Sequence, residues 1–175
     1  MNIIIEKASP GDASNILEYL KLVGGETDYL TFGSEGMPFS AEAEESYIAE
    51  IEKSDDLMLV AKDGDRIIGI ASLNRMPRRM SHRGDFGLSV AKDYWGRGIG
   101  SRLTEEVILF AKENRYEIID LEVRSDNLRA IKLYEKYGFR RIGSHPAFLQ
   151  IAGDNISSDY MYMNLKEENA KCSEN

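Results

Sequence analysis

Hydrophobic positions along the chain shift repeatedly between alternating and helical spacing, and each shift predicts an element. Ile3-Ile4-Ile5 predicts a first strand. Ser9-Pro10-Gly11-Asp12 predicts a helix start, with serine at the cap, proline in the first turn and an acid three residues on. That helix places Ile16, Leu17, Leu20 and Val23 on an apolar face, and Gly24-Gly25 is expected to end it. A loop through Phe39 leads to Ser40, which opens a second helix where Tyr47, Ile48 and Ile51 recur at three and four. Leu57 to Ala61 and Arg66 to Leu73 predict two strands, with Asp63-Gly64 as the hairpin turn. A polar loop from Asn74 to Arg83 precedes a third strand-like run, Phe86 to Val90. After the glycine-rich turn Tyr94 to Gly100, an amphipathic helix runs from about Ser101 to Asn114. Ile118 to Val123 predicts a strand, and Leu128 to Tyr137 a helix closed by Gly138. Phe139 to Ile142, resuming by Gln150, and Tyr160 to Leu165 predict the last two strands.

The order β-α-α-β-β-β-α-β-α-β-β indicates one α/β domain with a mixed sheet, spanning 1–166, and a polar, flexible tail over 167–175. The 175 residues suit a single core. Lys+Arg number 22 against 30 Asp+Glu, a net charge of −8, which argues against a dedicated nucleic-acid binder and favours a cationic partner. No apolar run is long enough for a membrane span, and the Ile3-Ile4-Ile5 run stops at Glu6, so no secretory core is expected. The one cysteine, Cys172, excludes an intramolecular disulfide and a cysteine-based zinc site. His82 and His145 lack metal-pair spacing, so no metal is expected, and the expected compartment is the cytoplasm.

The sharpest local feature is a strand, then glycines 96, 98 and 100, then a helix. A helix N-terminus exposes unpaired N–H groups with partial positive charge, and glycines let the backbone curl around an anion. Arg97 and Arg102 add positive charge, so the turn suits a pyrophosphate. It is not a Walker A loop, since Gly100-Ser101-Arg102 lacks the lysine. A dinucleotide fingerprint would need glycine at Ser101, and Asp120, at the offset of a ribose-binding acid, falls inside a strand pattern.

Val90, the run Trp95-Gly-Arg-Gly-Ile-Gly100, the following helix, Leu121-Glu-Val, Asn127 and the run Ala130-Ile-Lys-Leu-Tyr134-Glu-Lys-Tyr-Gly138-Phe139 together resemble the GNAT superfamily of N-acetyltransferases. The motifs cover about residues 86 to 142, in that family's order. One departure stands out: the family carries Gln or Arg at the position of Trp95. The resemblance implies a GNAT-type acyltransferase fold, its mixed sheet flanked by helices and splayed centrally between the strands of Val90 and Val123. It implies acetyl-CoA as cosubstrate, its pyrophosphate on the turn of Gly96, Arg97, Gly98, Ile99, Gly100 and Ser101. The pantetheine arm would run beside Leu88, Ser89 and Val90 as an added strand, with Asn127 as a further contact. Homodimers are common in the family, so the resemblance extends to a homodimer.

Amide formation from a thioester needs a neutral amine, a donor for the oxyanion and a proton for the leaving thiolate. The Val90 amide is the oxyanion donor by resemblance. Tyr134 is the expected acid; it follows Asn127 by almost two helical turns, so both project on nearly the same face. Tyr137 is the tyrosine expected to pack in the core. Asp85, at the start of the Val90 strand, is the expected base, with Glu122, Glu26 or ordered water as alternatives.

Residues 26 to 56 carry ten acids, from Glu26 through Asp56, against the single Lys53. By resemblance they cover the acceptor side and would attract a cationic amine, small or peptide-borne; a solvated helix face explains them equally. Arg75, Arg78, Arg79, His82 and Arg83 read as a mobile basic hairpin, and Tyr29, Phe32 and Phe39 as pocket or core. The expected reaction is direct transfer in a ternary complex, without an acyl-enzyme. A non-catalytic acetyl-CoA sensor is the alternative. A serine hydrolase built on Gly87-Leu-Ser89-Val-Ala91 fails because no helix follows the serine directly.

Overall fold

The computed structural model describes residues 3–167; Cys172 and nearly all of the expected polar tail lie outside them. The elements are β1 (Ile3–Lys7), α1 (Ala13–Glu26), α2 (Ala41–Ile51), β2 (Leu57–Asp63), β3 (Arg66–Arg75), β4 (Arg83–Val90), α3 (Ile99–Glu113), β5 (Ile118–Arg124), α4 (Leu128–Lys136), β6 (Arg140–Ile151) and β7 (Asp154–Asn164). Their order is the one the periodicity predicts. The strands form one mixed sheet in the order β1-β2-β3-β4-β5-β7-β6. Among the described residues the backbone groups into two compact units, 3–74 with 87–110, and 75–86 with 111–167.

In the first unit, β1, β2 and β3 run antiparallel. Five consecutive residues of β2, Leu57 to Ala61, are buried, as a strand covered on both faces requires. Gly64 turns the β2–β3 hairpin at φ +61°. A bulge opposite Ala61 and Lys62 places Ile67 and Ile70 in the same apolar cluster. That cluster also takes Ile16, Tyr19 and Val23 from α1 and Ile48 and Ile51 from α2. The entry to α1 is a single 3-10 turn, Pro10–Asp12, in which Asp12 Oδ2 accepts from both Ser9 N and Ser9 Oγ at 2.9 Å. Asp12 also meets Lys62 Nζ at 2.7 Å. Ser40 Oγ caps α2 by accepting from Ala43 N.

Two expectations about these helices fail. Gly24-Gly25 does not stop α1, which runs on to Glu26. Gly24 serves close approach instead, because a Cβ there would lie 2.0 Å from Gly33 O. The apolar face of α2 does not include Tyr47, which is exposed while Glu44 is buried in its place.

In the second unit β5 pairs β7 antiparallel, and β7 pairs β6. The alternation in β5 buries Ile119, Leu121 and Val123 and turns Asp120 and Glu122 to the other face. β4 and β5 pair in parallel from Arg83↔Ile118 to Asp85↔Asp120. The last hairpin is longer than predicted: β6 is extended from Arg140 to Ile151, its register against β7 shifting between Arg141 and Gly143 and between His145 and Leu149, and β7 begins at Asp154. Residues Arg140 to Ala147 are all exposed, so no buried face imposes a period-two pattern there. The basic segment is not a free hairpin: the Arg75 guanidinium lies 3.9 Å above the Tyr116 ring, and Arg83 Nε bonds Asp120 Oδ2 at 2.7 Å.

Replacing Gly24 with Ala forces a methyl group into the Gly33 carbonyl. The expected loss is about 1–3 kcal/mol or more, read as a lower urea midpoint with an unchanged slope.

Candidate active site

In the first unit, β4 leads through a 3-10 turn, Lys92–Tyr94, into the glycine turn. Gly96 and Gly98 adopt φ +75° and +77°, a conformation that disfavours any side chain, and a Cβ at either would meet nothing within 4 Å. Open space therefore faces both glycines. Arg102 N donates to Gly98 O, so α3 begins two residues earlier than the sequence suggests. The amides of Ile99, Gly100 and Ser101 lie in its first turn, where no carbonyl four residues back can accept from them. Gly96, Arg97 and Gly98 are exposed, whereas Ile99 anchors the turn in the core at 1% exposure. Arg97 sits over the Tyr94 ring, whose hydroxyl donates to Asp63. The Arg102 guanidinium is engaged on β1, donating to Ile3 O.

The segment just before the turn is fixed from several directions. Ser89 Oγ and Tyr19 OH lie 3.0 Å apart. Trp95 Nε1 donates to Val90 O at 2.7 Å, Ala91 N to Ile68 O at 2.9 Å and Lys92 N to Glu26 Oε2 at 2.8 Å. Burial raises the Tyr19 hydroxyl far above its usual range, opposed by the bond to Ser89, so it stays protonated. Leu88, Ser89 and Val90 are half-buried. Glu26, an alternative base, is engaged as the acceptor for Lys92 N.

In the second unit, Asn127 caps α4, its Oδ1 accepting from Ala130 N at 3.3 Å. The entry to that helix is held by the buried Asp159, which accepts from Ser125 Oγ at 2.7 Å and from Ser144 Oγ at 2.8 Å. Tyr134 is the buried tyrosine of α4, at 6% exposure, while Tyr137 is half-exposed, the reverse of the sequence expectation. Its ring meets Phe86 edge-on at 5.9 Å and Phe139 at 5.7 Å. Among the described residues no hydrogen-bond partner meets its hydroxyl. Burial raises that hydroxyl well above the ordinary tyrosine range, so it is a proton donor at every physiological pH.

Asp85 stands opposite Asp120 in the parallel register. Asp85 is exposed on its strand, yet partial desolvation by the atoms around it raises its carboxyl, and the Asp120 charge adds to this. Glu122, also exposed, is raised by partial desolvation and then by Asp85, with His145 acting in the opposite sense. Glu122 pairs in register with Tyr160, whose ring meets Phe148 at 6.3 Å; Phe148 in turn meets His145 at 6.1 Å. Among the described residues no group of three or more His, Cys, Asp or Glu side chains is placed to hold a metal.

Sequence reasoning missed Tyr19, Phe86 and the Phe148–Tyr160 contact. Tyr19 had a legible signal, lying three residues after Ile16 and four before Val23. Phe32 packs on the first unit's core, while Tyr29 and Phe39 are exposed. No helix among the described residues is long and apolar enough to cross a membrane.

Residues 27–139 match the model of the acetyltransferase (GNAT) family. The chain is 34% identical over 94 residues to the N-alpha-acetyltransferase RimI of Mycobacterium tuberculosis, covering 53% of this chain and 58% of that protein. It is 36% identical over 101 residues to the L-amino acid N-acetyltransferase AaaT of Escherichia coli, covering 57% and 62%. Both matches span less than two thirds of the relative's length. The crystal structure of the acetyltransferase of GNAT family from Streptococcus pneumoniae superposes with a TM-score of 0.91 at 30% identity, over 94% of this chain and 100% of that one. With the glycine turn, the β4 segment and the Asn127–Tyr134 helix in the family's order, the chain belongs to the acetyltransferase (GNAT) family.

Proposed function

We propose that this protein moves an acetyl group from acetyl-CoA to a primary amine, by direct attack in a ternary complex. The observation that carries the reading is the turn of Gly96 and Gly98, whose left-handed backbone opens the first amides of α3 to an anion. The diphosphate of acetyl-CoA is held by the amides from Arg97 to Ser101, with Arg97 contributing charge. The pantetheine arm bonds the backbone of Leu88, Ser89 and Val90, and Asn127 donates its side-chain N–H to the same arm.

The acyl oxygen takes the Val90 amide as the thioester is attacked. The amine nitrogen bonds the carbonyl carbon, and collapse of the intermediate breaks the carbon–sulfur bond. Tyr134 then protonates the departing thiolate, and the second proton, shed by the acylated nitrogen, restores the phenol through water; burial keeps that hydroxyl protonated until the thiolate leaves. Asp85 receives the proton from the incoming ammonium, directly or through water, with Glu122 as the alternative acceptor. Each carboxyl is raised, which moves it towards the pH at which a base works best. One relative is named an N-alpha-acetyltransferase and the other an L-amino acid N-acetyltransferase, and these names support an amino acid or a peptide N-terminus as acceptor. The homodimer belongs to the same reading and is decided by sedimentation. So do a single domain over 1–166 and a cytoplasmic location.

Calorimetry with acetyl-CoA, followed by thiol release over a panel of amino acids, peptides and polyamines, tests the reading. Binding with release for an α-amine supports it; no binding overturns it. Tyr134→Phe keeps the ring that packs on Phe86 and Phe139. Turnover is expected to fall about 10²-fold, with acetyl-CoA affinity nearly unchanged. Asp85→Asn removes a charge that raises Glu122. Glu122 is then expected to titrate at lower pH than in the wild type, read by carboxyl NMR. In the wild type both raised carboxyls bind protons more tightly folded than unfolded. Their cost to stability is absent below the unfolded carboxyl range and grows as pH rises through the raised values.

A further inference from the structure

The peptide linking Val90 and Ala91 is trans, as are all described peptides. In a trans peptide the C=O and the following N–H point in opposite directions. Ala91 N–H is bonded to Ile68 O on β3, so Val90 C=O points to the other edge of β4. Ser89 O lies on the β3 side, 3.3 Å from where a Cβ on Gly69 would stand. By the same rule, Val90 N–H also points away from β3. Both polar groups of Val90 thus face one edge, and that edge is where an acyl arm would add as a strand. The Trp95 indole N–H takes the carbonyl at 2.7 Å. Trp95 stands where the family carries Gln or Arg, and it is the single tryptophan of the chain.

We propose that Trp95 is a positioning residue for acyl transfer: its indole occupies Val90 C=O and leaves Val90 N–H as the group that edge offers to the acyl oxygen. This inference rests on the reading under "Proposed function". A strand-like arm would otherwise have both groups of Val90 to pair with, and could slide into a register in which the thioester oxygen misses the amide. An internal donor on the carbonyl occupies one of its two lone pairs and disfavours that alternative. Tyr19 on Ser89 and Glu26 on Lys92 N hold the residues on either side, so the indole acts on a segment already fixed in place. The tryptophan is also placed to report the arm's arrival.

The test uses the full chain and acetyl-CoA. Trp95→Phe keeps an aromatic ring and removes the donor. The expected result is a fall in kcat of about 10- to 100-fold without a rise in the KM for acetyl-CoA, because the freed carbonyl can itself bond the arm. A role in packing alone would lower Tm and raise that KM while leaving kcat as it is, and this overturns the proposal. The wild-type protein supplies a second measurement that needs no variant to fold. Its tryptophan emission should change saturably with acetyl-CoA, at the Kd that calorimetry gives. Binding by calorimetry with no change in emission overturns the positioning role alone. Absence of binding by calorimetry overturns the acetyl-CoA reading, and the positioning role falls with it.

Discussion

Two residues of left-handed backbone decide how this chain leaves β4. Gly96 and Gly98 turn it so that α3 starts with its first amides in the open and Ile99 in the core. A side chain at either position would strain the backbone by about 1–2 kcal/mol. The amide direction at a helix start is set by the helix, so the turn needs no flexible side chain to present donors to an anion. The segment from Ser89 to Lys92 is bonded to α1, β3 and the turn itself, which fixes one end of this curl.

The second unit contributes a different kind of constraint. Phe86 and Phe139 enclose the ring of Tyr134, and enclosure disfavours the phenolate. The result is a hydroxyl that holds its proton without a partner in the described residues. Asp85 and Glu122 experience the complementary effect, since each carboxylate charge is disfavoured by packing and by a neighbouring acid. Burial keeps the Tyr134 hydroxyl protonated, while the two exposed carboxyls are lifted towards the range of a base by partial desolvation and by neighbouring acids.

The order of elements was legible because the strand and helix periods are clean over Leu57–Leu73, Ser101–Asn114 and Ile118–Val123. The glycine turn was legible from composition, since glycines 96, 98 and 100 sit between a strand and an amphipathic helix. What failed depended on long-range packing. Gly24 reads as a helix stop, yet it is a contact point for the Gly33 carbonyl, thus invisible locally. Glu44 reads as a surface acid, yet it is buried where Tyr47 was expected. That Tyr134 rather than Tyr137 is the buried one has the same origin, because the aromatic partners come from β4 and from beyond Gly138. The β6–β7 hairpin escaped because its exposed strand carries no apolar alternation. The bond from Trp95 to Val90 had no sequence signal beyond an unusual residue in a family motif.

The most direct measurement is a crystal structure grown with saturating acetyl-CoA. The diphosphate is expected on the main-chain amides from Arg97 to Ser101, with the acyl oxygen at Val90 N. A diphosphate bound elsewhere, with the glycine turn left to solvent, would contradict the account.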